Sequence, residues 1–355
     1  MLVTIIENFI LFSTAFALLG FALTCFARAG IKRKYWRPRV DTVVRLHTAT
    51  IVTPPLVALW VVGAAFLPRL WLTAEAFEAA HSAPYHQLHL LGDLTIALEP
   101  ALSFGLVSFA VVVGSFAVWS NLVGSWRVGN LIKRLDMNAS PAPADQVATV
   151  KDLAAKRGMT AGLVMTDYPL SLVWGIRRSQ LIFSSGLLRS LTPEQLTGVL
   201  EHEAAHHDRR DNLLKLLLSL ATYTSAAFPL SRLVLRWRAT EVEVICDEAA
   251  VASTSAPLEL AEALVKLRRQ TIAGPVSNSA MASGFMSGSA ATFEYRIDRL
   301  LSLVDGAPAV EPRRRIGNKS AAALVAASLF ILVVSSIFAP LSLHDGAEAL
   351  IQILK

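Results

Sequence analysis

The sequence predicts a mainly α-helical, multi-pass membrane protein with an α+β domain embedded between its spans. Three observations carry this expectation. The 355 residues are 54% hydrophobic and only 17% charged, whereas soluble domains carry about a quarter charged residues. Four uncharged stretches are long enough to supply the roughly 20 helical residues that cross a bilayer core of about 30 Å. Between the third and the fourth lies a long region of ordinary polarity, in which strand-like patches are followed by helical periodicity. The same composition excludes a disordered chain, a collagen-like chain and a disulfide-rich secreted protein. Cys25 and Cys246 are the two cysteines; they lie too far apart in sequence to suggest a disulfide framework or a cysteine metal knuckle.

The first span covers residues 9–26. Basic residues follow it instead of preceding it, which argues against a cleaved signal peptide. The second covers residues 46–68, with Pro54 and Pro55 expected to kink it, the third 101–126 and the fourth 320–343. Arg28, Lys32, Arg33, Lys34, Arg37 and Arg39 crowd the first connection (28–45). The second (68–100) carries Arg69 beside Glu75, Glu78, Asp93 and Glu99, and most of the 33 Lys and Arg residues fall in 127–319. The positive-inside bias therefore places the first connection and the 127–319 region in the cytoplasm of a bacterial-type cell membrane. Both termini and the second connection are expected outside. The basic clusters read as topology, and direct nucleic-acid binding is not expected. Three units follow: 1–126 with three spans, 127–319 as the cytoplasmic domain, and 320–355 with the last span and a short outer tail.

Within the cytoplasmic region, Asn138 and the Ser/Pro/Ala stretch after it read as a linker. A short helix is expected over 146–157, then β-rich patches at 162–165, 170–174 and 180–183. Thr192, Pro193 and Gln195 form a capping-box start for a helix carrying Glu194 through His207 and continuing through Asp211. Residues 274–291 read as a flexible Gly/Ser/Ala loop.

That helix contains His202-Glu203-Ala204-Ala205-His206. Residues four apart share a helix face, so both imidazoles can meet one ion, the pattern of a zinc site in which Glu203 polarises a bound water and takes its proton. The bland alternative is a polar helix face with surface histidines. A hydrolytic zinc site needs a third protein ligand and an open position. Glu243 and Asp247, four apart downstream, share a face; one could bind zinc while the other orients a ligand histidine. Glu241 points elsewhere and is expected to be solvated. An apolar stretch at 216–231 separates the two motifs. If it crossed the membrane, the motifs would lie on opposite sides, so a re-entrant or interfacial hairpin (213–240) turning at 225–229 is expected, with the site near the cytoplasmic membrane surface.

These residues resemble a known family. The segment from Leu191 through His202-Glu203-Ala-Ala-His206 to Arg210-Asp211 looks like the zinc helix of BlaR/MecR-type membrane metallopeptidases. Glu243-Val-Ile-Cys246-Asp247 is similar to their Glu-x-x-Cys-Asp motif, and the run from Phe293 through Arg296-Ile to Leu301 to a later Arg-Ile element. The stretch from Trp174 to Phe183, with Gly186-Leu-Leu, resembles the strands before the helix. The resemblance implies a gluzincin fold with one catalytic Zn2+ held by His202, His206 and Glu243, Glu203 as base, and Asp247 as partner of a ligand histidine. It also implies cleavage of proteins at the cytoplasmic membrane surface, classically the protease itself and a transcriptional repressor. The β-lactam receptors of that family carry a penicillin-binding sensor after the last span. Only residues 344–355 follow it here, so antibiotic sensing through such a domain is not expected.

CAAX prenyl protease and HtpX-type enzymes share His-Glu-x-x-His plus a downstream Glu-x-x-x-Asp, and a quality-control protease of that kind is the enzymatic alternative. They usually have a His or Pro before the Arg-Ile element, which residues 287–292 lack; Arg296 is a candidate transition-state donor that the motif does not assign. A membrane signalling protein holding zinc for structure alone is the non-catalytic alternative, in which four protein ligands would exclude water. Expected partners are a protein or peptide substrate (a cytoplasmic regulator or a membrane protein) and the bilayer. An extended substrate could add to a strand edge within 170–184. His207 points about 100° from His206 and reads as a surface residue. His81, His86 and His89 in the outer connection read as solvated, with metal binding or pH sensing as the alternative. Cys246 reads as a small buried residue, and Asp208 to Asp211 as a charged rim in which Asp211 could pair with Arg238.

Overall fold

A computed structural model describes residues 2–33, 35, 38–66, 105, 108, 111–116, 119, 123, 141–175, 179–272 and 289–305. The fourth expected span, the histidines at 81, 86 and 89, and most of the 274–291 loop lie outside the described residues. So does most of the third span, whose described positions are helical.

The described chain is mostly helical, with one small sheet. Among the described residues, helices α1 (Leu2–Lys32) and α2 (Val40–Phe66) are the two that are long and apolar enough to cross a membrane. They pair through Phe12, Ala58 and Val62, and Thr24 and Thr50 share a 2.6 Å hydroxyl contact between them. Their outer faces present Leu19, Leu23, Phe26 and Leu56, all more than half exposed, large apolar side chains whose contact with water is unfavourable. Pro54 and Pro55 are accommodated inside a continuous α2. Both helices extend past the uncharged stretches, α1 through Arg28 to Lys32 and α2 from Val40 with Asp41 in its first turn.

Helix α3 (Ala144–Lys156) leads into strands β1 (Thr160–Val164), β2 (Ser171–Trp174) and β3 (Gln180–Ser184). The sheet order is β1-β3-β2, with β1 parallel and β2 antiparallel to β3. Pleating sends Leu172 and its partner Ile182 to one face and Val173 and Leu181 to the other, the period-2 rule for strands. The second face packs on the domain core. Helix α4 (Ser185–Ser190) follows β3 without a loop because Ser184 serves both. Its hydroxyl accepts from Leu187 N–H at 3.0 Å and from Leu170 N–H at 2.9 Å, and donates to the Tyr168 carbonyl at 2.8 Å. The β-rich patches did not announce this short helix.

Helices α5 (Pro193–Asp208), α6 (Asp211–Thr222), α7 (Phe228–Thr254), α8 (Pro257–Ile272) and α9 (Ala290–Val304) complete the described fold. Leu196, Val199, Leu200 and Ala204 of α5 meet Leu260, Leu264 and Leu267 of α8 and Leu300 of α9 in the main core. The apolar stretch after the His motif reverses at residues 223–227, two residues ahead of the expected turn. This hairpin lies along the paired long helices. Ile51 packs with Leu218 and Val234, Trp237 stacks on Phe21 and under Arg28, and the turn is fastened to α1, where Ala226 N–H donates to the Thr14 hydroxyl at 2.9 Å.

Candidate metal centre

Local chemistry starts the helix that carries the two histidines. The Thr192 hydroxyl accepts from Gln195 N–H at 3.2 Å, the Gln195 side chain accepts from Thr192 N–H at 3.4 Å, and Pro193 takes the first turn. This satisfies amides that would otherwise lack partners and fixes where α5 begins. His202 and His206 then stand one turn apart with ring centroids 4.9 Å from each other. His202 and Glu203 are essentially inaccessible, while His206 keeps 8% exposure.

Helix α7 brings the acids. Glu243 Oε2 is 3.5 Å from His202 Nε2, and Glu243 Oε1 is 3.6 Å from His206 Nε2. Zinc–nitrogen bonds of about 2.0–2.1 Å set tetrahedral ligand atoms about 3.4 Å apart, so these three side chains have the spacing of ligands around one ion. The buried Nε2 of His206 has no hydrogen-bond partner among the described residues, and an imidazole nitrogen left so is suited to a metal. Asp247, one turn after Glu243, reaches His202 Nδ1 at 2.8 Å, which turns its Nε2 toward Glu243. The donor set of two imidazoles and one carboxylate fits zinc with room for a water.

The expected continuation of α5 through Asp211 is corrected. The helix ends at Asp208, and Arg210 takes the left-handed conformation at φ 53°, ψ 42° before α6 begins. That reversal swings Asp211 beneath the site, where its Oδ2 lies 2.8 Å from His206 Nδ1. Asp211 is 1% exposed and therefore belongs to the interior, not to a charged rim. Each histidine thus has its own carboxylate on the nitrogen away from Glu243, an arrangement that fixes tautomer and ring orientation. Arg209 Nε sits 3.4 Å from Asp211 on the outer side. On the inner side Arg238 is buried, donating from Nε to the Thr48 hydroxyl of α2 at 2.9 Å, and its charge acts on Asp211.

Arg296 of α9 also enters the interior. Its guanidinium grips Asp247 with two 2.7 Å bonds and reaches within 3.4 Å of Glu243. A fork–fork pair of this kind orients the carboxylate firmly, so Arg296 positions the acids. Burial works against the charge on Glu243, but His206, His202 and Arg296 hold its carboxyl well below the usual range. Asp247 is likewise lowered against burial by Arg296 and His202. Burial pushes the Cys246 thiol up; it lies buried 3.4 Å from His206 Nδ1, as a small core residue does. His206, Asp211 and Cys246 also cluster within ligand range, but this group uses the His206 nitrogen already held by Asp211. Glu241 is half-buried, away from the histidines, and accepts from the Tyr295 hydroxyl at 3.2 Å in an exposed contact. His207 is half-buried too.

Comparison with known proteins agrees with this geometry. Residues 172–270, from β2 to the end of α8, match the profile of Peptidase family M48. An aligned segment is 28% identical to the protein named Protease HtpX homolog from Persephonella marina (strain DSM 14350 / EX-H1). That alignment, 135 positions long with its gaps, takes in 35% of this chain and 46% of the relative, so the match spans about half the relative's length. The likeness falls on the HtpX-type side of the sequence resemblance, without distinguishing the BlaR/MecR type.

Proposed function

We propose that this protein is a membrane-embedded zinc metalloendopeptidase that cleaves protein substrates at the cytoplasmic membrane surface. The convergence of His202, His206 and Glu243 at ligand spacing, beside the buried Glu203, is the observation that carries the reading; the match to Peptidase family M48 supports it.

His202, His206 and Glu243 would hold the ion, with Asp247 and Asp211 orienting the two imidazoles. A zinc ion there supplies Lewis acidity toward a peptide carbonyl and acidifies a water. Glu203 follows His202 on α5 and is the carboxylate available to take the proton of the attacking water and deliver it to the departing amine. The outer edge of β2, beside α5, offers backbone groups to an extended substrate. The apolar outer faces of α1 and α2 support residence in the cell membrane. The basic first connection supports a cytoplasmic site with both termini outside.

The substrate class divides along the two resemblances. The HtpX likeness favours quality-control cleavage of membrane proteins, while Cys246 within Glu-x-x-Cys-Asp favours regulatory cleavage of a repressor or of the protease itself. Comparing the proteomes of cells that carry wild type or Glu203→Gln separates them by the membrane-proximal fragments lost. In the purified full-length chain, Glu203→Gln keeps stoichiometric zinc and loses cleavage, whereas His206→Ala loses both. Undiminished proteolysis by Glu203→Gln sinks the assignment.

A further inference from the structure

Asn212 has a contact that the zinc chemistry does not use. Its side-chain amide donates to the Val173 carbonyl at 2.9 Å and to the Gly175 carbonyl at 3.1 Å. Val173 and Gly175 are two apart, so both carbonyls leave the same edge of the strand. The Leu170 carbonyl turns the other way, accepting from Ser184 N–H of β3 at 3.0 Å. Since β2 is, among the described residues, the last strand on its side of the sheet, Asn212 sits on the outer edge, where any added strand must pair. Gly175 follows β2 at φ 105°, a conformation that favours glycine and turns the chain away.

Asn212 is also the neighbour of Asp211. The left-handed Arg210 is what lets consecutive side chains serve opposite sides, Asp211 reaching His206 and Asn212 reaching β2. One short segment therefore spans from the metal-ligand pair to the strand edge.

We propose that Asn212 is a specificity-determining residue that sets the register of an extended substrate on β2. This rests on the protease reading. By occupying the Val173 and Gly175 carbonyls, it closes the C-terminal end of the edge as an acceptor and leaves pairing to the Ser171 side. An incoming strand stops at that point, which fixes the peptide bond presented to the site. Without the stop, a strand can slide along the edge in steps of two residues, because a one-residue slip would send its side chains to the opposite face.

The test uses full-length protein in lipid nanodiscs, with Asn212→Ala, Asn212→Asp (same shape, donor replaced by acceptor) and Asn212→Gln. Mass spectrometry of the products of one extended peptide, KM and kcat, zinc stoichiometry, and amide exchange over 171–175 are read together. The expected result for Asn212→Ala and Asn212→Asp is a single wild-type cut broadening to additional cuts two residues away. KM is expected to fall by up to about tenfold, the scale of the one or two hydrogen bonds that the freed Val173 and Gly175 carbonyls offer a longer pairing, with kcat and zinc content held and faster exchange over 171–175. Asn212→Gln keeps more of the wild-type pattern than either. An unchanged cut pattern and KM, or unchanged exchange over 171–175, overturns the proposal. Loss of zinc in Asn212→Ala also overturns it, by showing that the residue serves the metal site. Failure of the protease reading is distinguishable, because wild type would then cut nothing that Glu203→Gln spares, while the exchange measurement still decides whether Asn212 holds the edge.

Discussion

At the scale of single residues, the outer nitrogens of the two histidines decide how well the site is held. His202 Nδ1 meets Asp247 and His206 Nδ1 meets Asp211, both at 2.8 Å, but the two carboxylates are supported differently. Asp247 is gripped by the buried Arg296, whereas Asp211 depends on the partly exposed Arg209 and the charge of Arg238. Asp211→Asn keeps the shape and removes the charge; it is expected to weaken zinc binding about 10- to 100-fold, the usual effect of removing such a partner. Chelator competition on the full-length protein measures this, and unchanged affinity would show that Asp211 is only a buried counter-ion. Arg296→Met removes the cation between Asp247 and Glu243 and leaves the two buried carboxylates with the histidines alone as partners. The expected loss is about 3–5 kcal/mol of stability, read from denaturant unfolding of the zinc-free protein. A loss below 1 kcal/mol would mean that Arg296 is dispensable to the fold.

At the scale of elements, what is local was legible and what depends on long loops was not. The capping box at Thr192 and Gln195 is written in four residues, and the helix began where it indicates. The shared face of Glu243 and Asp247 follows from helical spacing, and both reach the histidines. The end of α5 was not legible, because nothing in Asp208-Arg209-Arg210-Asp211 marks a left-handed residue; the usual cue is glycine, and here the position is arginine. Helical spacing alone therefore leaves Asp211 in a charged rim, with Arg238 as its possible partner. Nor could spacing reveal that Arg296 would cross 49 positions to reach Asp247, a contact made by packing α9 against α7. The Arg210 junction carries its own prediction. Left-handed backbone costs an ordinary residue about 1–2 kcal/mol and a β-branched one more. Arg210→Gly is therefore expected to retain zinc, while Arg210→Val destabilises the protein by about 1–2 kcal/mol and loosens zinc by displacing Asp211. Equal zinc affinity in the two variants would separate the backbone reversal from the metal site.

At the scale of the whole molecule, the helices that carry the candidate metal ligands are not a separable head on the two long apolar helices. Val44 of α2 shares one buried cluster with Val242, Ile245 and Cys246 of α7, against which Ala205 of α5 packs, so the second long helix lies beside both motif-bearing helices. Arg238 extends this contact by donating to Thr48. The α6–α7 hairpin follows the same pair of helices away from the site. Trp237 lies against Phe21 and Arg28, while the turn meets Ser13 and Thr14, so the hairpin accompanies α1 over about four helical turns. Its outward Leu217 and Leu220 continue the apolar surface of the long helices. If α1 and α2 cross the bilayer, the turn at 223–227 must be buried in it, short of the outer surface. A single cysteine at position 226, the exposed residue of the turn, in a chain whose Cys25 and Cys246 are replaced by Ala, is then expected to resist a membrane-impermeant maleimide added from outside the cell and to react once detergent opens the membrane. Ready labelling from outside would turn the hairpin into a crossing. It would also set Glu243 on the opposite side from His202 and His206, in conflict with the 3.5 and 3.6 Å approaches that bring the three together.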